Sequence, residues 1–226
     1  MKVSRQSKIQ QLTDFDNDFS NNYCLIGTDE AGRGPLAGPV SACALHFPNF
    51  NKETLEIIKY IDDSKSFSSN PTLRKSLAKD LKEVAKFKIS WATVEDIEKY
   101  NILQASLLAM KKASEELIKE LTPIKPSMIL VDGKFKIKEI NAEQTAVIKG
   151  DSKSASIAAA SIIAKVERDE LMLKLSEEFP IYQWHKNKGY PTKHHINAIR
   201  EHGECEWHRK SFLSKIYQKK LFDTES

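Results

Sequence analysis

The chain has 226 residues, of which 40% are hydrophobic and 29% charged, with a net charge of +4. That supplies one sizeable core; no apolar run approaches the roughly 18 residues of a membrane span, and the polar stretch 1–22 lacks the apolar centre of a secretory signal. Three isolated cysteines, Cys24, Cys43 and Cys205, exclude a disulfide framework and point to a reducing cytoplasm.

Residues 1–22 read as a short polar arm or helix. Residues 23–28 (YCLIGT) are strand-like and run straight into DEAGRGPLAGP, and 39–47 (PVSACALHF) form a second strand. Residues 73–86 carry apolar positions at helical spacing, and 87–94 (FKISWATV) alternate with period two as a strand does. Residues 97–121 are helical and closed by Pro123 and Pro126; 128–131 (MILV) form a wholly apolar strand suited to a central position. Residues 145–148 are another strand, 154–179 a long helix, and 180–193 a loop rich in aromatic and basic residues. Two short helices follow, around 194–202 and 209–220. This is an α/β pattern with a mixed sheet and a helical C-terminal piece.

Four acidic residues stand out by position. Asp29 and Glu30 end the first strand, Asp132 follows MILV, and Asp151 follows the strand at 145–148, where it or Ser152 opens the long helix as an N-cap. Taken singly, Asp132 is an ordinary Asp-Gly turn and Asp151 a capping residue. Taken together, four carboxylates at one sheet edge would repel and raise one another's pKa. A hard cation such as Mg²⁺ or Mn²⁺ removes that conflict through all-oxygen ligation. The adjacent pair His194 and His195 diverges on a helix and offers no competing ligand set. Asp169 sits four residues after Lys165, the spacing of a helix-surface ion pair.

The glycine-rich turn after Asp29 and Glu30 brings bare backbone close to any ligand. The small face of Ser154, Ala155, Ala158, Ala159 and Ser161 lets a helix lie close on a sheet. Residues 186–220 interleave many lysines and arginines with Trp184, Tyr190 and Trp207 nearby, which suits phosphate contact and stacking; a solvated helical surface is the plainer alternative.

The segments LIGTDEAGRGPLAGPVSACAL, DDSKSFS, ILVDGK, KGDSKSASIAAASIIAKVERD, KGYPTKHH and HRKSF, in that order from about Tyr23 to Phe212, resemble the successive blocks of bacterial ribonuclease HII. The resemblance implies a ribonuclease H-like mixed β-sheet flanked by helices, with a small helical C-terminal extension. It divides the chain into a polar arm at 1–22, a catalytic domain at 23–180 and a substrate-binding extension at 181–226. It implies a catalytic and metal-binding tetrad of Asp29, Glu30, Asp132 and Asp151, served by Mg²⁺ or Mn²⁺. Gly32, Arg33 and Gly34 would grip the ribonucleotide while Tyr190 stacks on the neighbouring deoxyribose. The implied activity is hydrolysis of RNA in RNA–DNA duplexes, including single ribonucleotides embedded in DNA, cut on the 5′ side during replication and repair. Lys65, Lys153, Lys165 and Arg168 are candidate phosphate contacts, each matched by a plain reading as solvated surface. A non-catalytic hybrid-binding module is the alternative, and four acids that repel phosphate argue against it. The C-terminal QKKLF, with Gln218, Leu221 and Phe222, resembles sliding-clamp docking peptides; the plainer reading folds Leu221 and Phe222 back on the domain. A monomer without membrane association is expected.

Overall fold

The computed structural model describes residues 5–61, 70–121 and 125–222, the side chains of 5–7, 215 and 218–222 excepted. The apolar runs form five strands, β1 (Cys24–Ala31), β2 (Val40–His46), β3 (Lys86–Ala92), β4 (Ser127–Asp132) and β5 (Glu143–Val147). They lie in the order β3-β2-β1-β4-β5. Strand β2 runs antiparallel to β1 and β3, while β1, β4 and β5 are parallel. The mixed sheet expected from the sequence is therefore the one observed. The β1–β4 register pairs Thr28 with Val131. One step further along both strands stand Asp29 and Asp132, on the same face because parallel partners point the same way.

Eight helices flank the sheet among the described residues: α1 (Arg5–Ser20), α2 (Lys52–Ile58), α3 (Pro71–Val84), α4 (Val94–Leu121), α5 (Ala155–Glu178), α6 (Trp184–Asn187), α7 (Lys193–His202) and α8 (Lys210–Phe222). One face of the sheet, with Ile26, Ala42, Ala44, Ile129 and Val131, buries the apolar side of α4. The opposite face, with Leu25, Cys43, Leu45 and Leu130, buries α5 and parts of α1 and α3. Helix α5 lies directly on β1. A Cβ at Gly27 would fall 2.4 Å from the backbone of Ser156 and Ile157, so only glycine permits this approach.

Of the polar stretch 1–22, the described helix α1 packs on the sheet: it buries Leu12 and Thr13, and its Asp16 is fully buried. The Asp16 Oδ2 accepts from the Ser156 amide at 2.8 Å and from its hydroxyl at 2.7 Å, so α1 caps the start of α5 from a distance in sequence. The helical C-terminal extension expected from the sequence is observed over α6, α7 and α8, packed on the main domain. Its Tyr182, Trp184, Ala198, Ile199, Leu213 and Ile216 share one core with Leu36, Ala37 and Met172 of the main domain.

Burial pushes the Asp16 carboxyl up to about 6, against hydrogen bonds from Ser154 and Ser156 that favour its charged form. A raised acid binds its proton more tightly when folded, so its contribution is present below the unfolded value and lost as pH rises toward 6. Asp16→Asn keeps an acceptor for Ser156 and removes this titration. Between pH 4.5 and 7 the wild type should lose about 2 kcal/mol relative to Asp16→Asn. Denaturant midpoints at both pH values measure it, and parallel losses in the two proteins would refute it.

Candidate active site

The four acids do not all stand past strand ends. Asp29 and Glu30 lie within β1 and, by strand alternation, face opposite sides. Asp29 points at α5, is 6% exposed, and takes a hydrogen bond from the Ser161 hydroxyl and one from the Glu30 amide at 2.7 Å. Asp132 ends β4, and its Oδ1 accepts from the Gly150 amide at 2.6 Å. Asp151 sits in a 3-10 turn, Gly150–Ser152, and the N-cap of α5 is Ser154 rather than Asp151 or Ser152. The turn, not the helix, thus places Asp151 beside Asp132. A Cβ at Gly150 would fall 3.0 Å from Asp132 Oδ1 and 2.6 Å from Ile157 Cδ1, so the turn fits only because that residue is glycine.

Burial and then the charges of Glu30 and Asp132 hold the Asp29 carboxyl well above the usual range. Burial raises Glu30, opposed by Arg33, whose Nη1 lies 3.2 Å from Glu30 Oε1. Burial also raises Asp132, with Asp151 adding its repulsion. Among the described residues, no group of three His, Cys, Asp or Glu side chains is arranged to hold a metal ion by itself. The arrangement is a run of neighbouring carboxylates rather than a closed cage. Such a donor set fits a hard divalent cation, which keeps water and takes phosphate oxygens into its shell.

Beyond β1 the chain turns through residues 32–39. Gly32 has φ +103, and a Cβ there would fall 2.1 Å from Arg168 Nε. Gly34 lies against Tyr190, whose Cε1 would be 3.5 Å from a Cβ at that glycine. The Tyr190 ring is 41% exposed and has Lys165 Nζ 5.8 Å from its centroid. Gly34 and Tyr190 thus share one surface, while Gly32 lies against buried Arg168, a short distance past Asp29 and Glu30 along the chain.

The candidate phosphate contacts fare differently. Arg168 is wholly buried, and its three nitrogens donate to the carbonyls of Pro39, Lys188 and Ala37 at 2.9–3.0 Å. It cannot reach a phosphate, and the expectation for it is corrected. Lys165 pairs with Asp169 at 2.6 Å, the helix-surface pair read from the spacing. Lys153 is exposed beside the Asp151 turn. Lys65 lies outside the described residues.

Sequence reasoning missed the supports of this surface. Trp184, read among stacking aromatics, is fully buried, and its Nε1 donates to His195 Nε2 at 3.1 Å. The Cys205 amide donates to His208 Nδ1 at 3.0 Å, which leaves the His208 proton on Nε2, 3.1 Å from His195 Nε2. His195 then carries its proton on Nδ1 and donates to the Tyr190 carbonyl at 3.0 Å. Burial keeps both imidazoles neutral, with His208 lowered to about 4. One donor pattern satisfies the whole run, and it ends on the backbone of Tyr190.

The family model for ribonuclease HII matches residues 26–215. The ribonuclease HII of Pelodictyon phaeoclathratiforme is 43% identical over 206 residues, covering 89% of this chain and 95% of that protein. Among solved structures, ribonuclease HII of Archaeoglobus fulgidus in its complex with PCNA superposes with a TM-score of 0.67 at 23% identity, covering 88% of this chain and 99% of that one. A ribonuclease HIII designated Bst, in complex with Mn²⁺, gives a TM-score of 0.69 at 20% identity, covering 90% of this chain and 71% of that one. These structural likenesses establish the fold.

Burial and neighbouring charge raise Asp29, Glu30 and Asp132, so a divalent cation held by them would favour their ionised forms. Calorimetric titration with Mg²⁺ should therefore show tighter binding at pH 8 than at pH 6, with measurable proton release. An affinity independent of pH would show that these carboxylates are already ionised.

Proposed function

The chain belongs to the ribonuclease HII family, and on that footing we propose that it hydrolyses RNA joined to or paired with DNA, cutting on the 5′ side of a ribonucleotide, including one embedded alone in a DNA duplex. The observation that carries this reading is the register of β1 and β4, which sets Asp29 beside Asp132 at the sheet edge, with the bare backbone of residues 32–34 next along the chain. Water adds across the P–O3′ bond, leaving a 3′-hydroxyl on the upstream nucleotide and a 5′-phosphate on the ribonucleotide. Asp29, Glu30, Asp132 and Asp151 would hold the divalent ions, Mg²⁺ or Mn²⁺. Bound there, such ions supply an activated water and neutralise charge on the phosphate.

The chain's own groups do the rest. Gly32 to Gly34 offer backbone polar groups to the 2′-hydroxyl, the one handle that separates ribose from deoxyribose. The exposed ring of Tyr190 offers a flat face to the adjoining sugar, and Lys165 and Lys153 offer positive charge to the backbone. A hybrid-binding module would gain nothing from three mutually repelling carboxylates, one buried and two partly buried. No helix among the described residues is long and apolar enough to cross a membrane, and the free thiols of Cys24, Cys43 and Cys205 accord with a reducing cytoplasm.

The Archaeoglobus relative was solved with PCNA, and a clamp contact of this chain would use Gln218, Leu221 and Phe222. Their side chains lie outside the described residues; their backbone continues α8. Calorimetric titration with the cognate clamp should show binding that Leu221→Ala/Phe222→Ala abolishes, and equal binding by both proteins would dismiss it.

Asp151→Asn should stay folded and lose orders of magnitude in cleavage of a duplex with one embedded ribonucleotide. Asp169→Asn should retain most activity, since Asp169 is engaged by Lys165 and Arg74. The reverse ranking would move the fourth acid to Asp169. Tyr190→Ala should cost about 10²-fold through lost positioning and Tyr190→Phe far less; equal losses would assign the role to the hydroxyl.

A further inference from the structure

Residues 32–39 leave the sheet with few ladder partners, so their carbonyls need donors from elsewhere. Arg209 supplies most of them. Its Nη2 donates to Gly32 at 2.7 Å and to Gly38 at 2.7 Å. Its Nη1 donates to Arg33 at 3.0 Å and to Pro35 at 2.9 Å, and its Nε to Gly38 at 2.9 Å. The side chain is fully buried, and burial, then the nearby Arg168, pushes its pKa down to about 9. It remains charged at neutral pH, so a cation sits inside the turn and faces carbonyl dipoles.

The orientation of these carbonyls fixes the amides. The described chain has no cis peptide, and in a trans peptide the C=O and the following N–H point opposite ways. With the Gly32 and Arg33 carbonyls turned toward Arg209, the amides of Arg33 and Gly34 turn away from it. Neither amide has a backbone partner among the described residues. Five bonds to four carbonyls use all five N–H donors of a planar guanidinium. A lysine has three donors on one point charge and cannot hold this set.

We propose that Arg209 is a positioning residue for ribose selection: from inside the turn it decides which edge of the Gly32–Gly34 peptides a nucleotide meets, leaving two amide donors outward and both carbonyls withdrawn. The 2′-oxygen is then received as an acceptor. This rests on the reading of residues 32–34 as the ribose contact. Arg209 itself touches no substrate. Its effect falls on discrimination between ribose and deoxyribose and not on general affinity for duplex.

The test compares Arg209→Lys with the wild type on two duplexes of one sequence, with and without a single ribonucleotide. The variant should lose about 10²-fold in kcat/KM on the ribonucleotide duplex, while its Kd for the all-DNA duplex by fluorescence anisotropy stays within about twofold of the wild type, a change under 0.5 kcal/mol. Wild-type kcat/KM, or a fall matched by an equal loss of all-DNA affinity, overturns the proposal. Amide exchange on the wild type decides the matter should the variant fail to fold. The Arg33 and Gly34 amides should exchange freely in the free protein and slow only with the ribonucleotide duplex; amides already protected in the free protein overturn the assignment. A wild type that cleaves neither duplex would instead sink the functional reading, while free exchange of the two amides would still support the geometry around Arg209.

Discussion

The backbone of α5 at Ser156 and Ile157 stands so near β1 that a single methyl at Gly27 would overlap it at 2.4 Å. Much of the acidic edge follows from that approach. With the helix flat on the strand, Ser161 reaches Asp29 and the turn before the helix comes level with the end of β4. There the Gly150 amide meets Asp132. A bulkier residue at 27 would lift the helix and carry Ser161 and the Asp151 turn away together. The small side chains Ala155, Ala158 and Ala159 serve the same contact from the helix side.

The same closeness creates an electrostatic debt. Three carboxylates are drawn out of water and toward one another, and each is driven toward its protonated form. A site of this kind is poor for stability and good for binding a hard cation, because the repulsion relieved on binding adds to affinity. Two buried guanidiniums balance the neighbouring turn differently. Among the described residues they meet no carboxylate at bonding distance and are held by carbonyl oxygens instead. Acids gather where the chemistry is proposed, and cations hold backbone shape behind it.

The strands and the long helix were legible, and the four acids could be singled out, because each rests on local pattern: an apolar run, a turn residue, a helical period. Asp151 was placed at a helix start and proves to occupy a turn before it, a difference of three residues that only the Ser154 cap reveals. Arg168, Arg209 and Trp184 were misread because charge and aromaticity in sequence look alike whether buried or exposed. The two arginines are buried against carbonyls of residues 32–39, far away along the chain, and Trp184 against His195 and Tyr182. A signal existed in the loop itself: GRGPLAGP has several carbonyls and reads as a turn with little strand pairing to satisfy them, so donors had to come from elsewhere. The role of α1 was hidden likewise, since Asp16 in a polar stretch gives no hint that it caps a helix 140 residues later.

The partners of Arg209 precede it by 171 to 177 residues. Because synthesis runs from the N-terminus, every acid of the proposed tetrad leaves the ribosome well before the guanidinium that shapes residues 32–38. A nascent or prematurely ended chain can own its carboxylates and still lack the set backbone beside them. The turn takes this shape only after residue 209 has been made, so the backbone proposed to meet ribose is set later than the acids beside it.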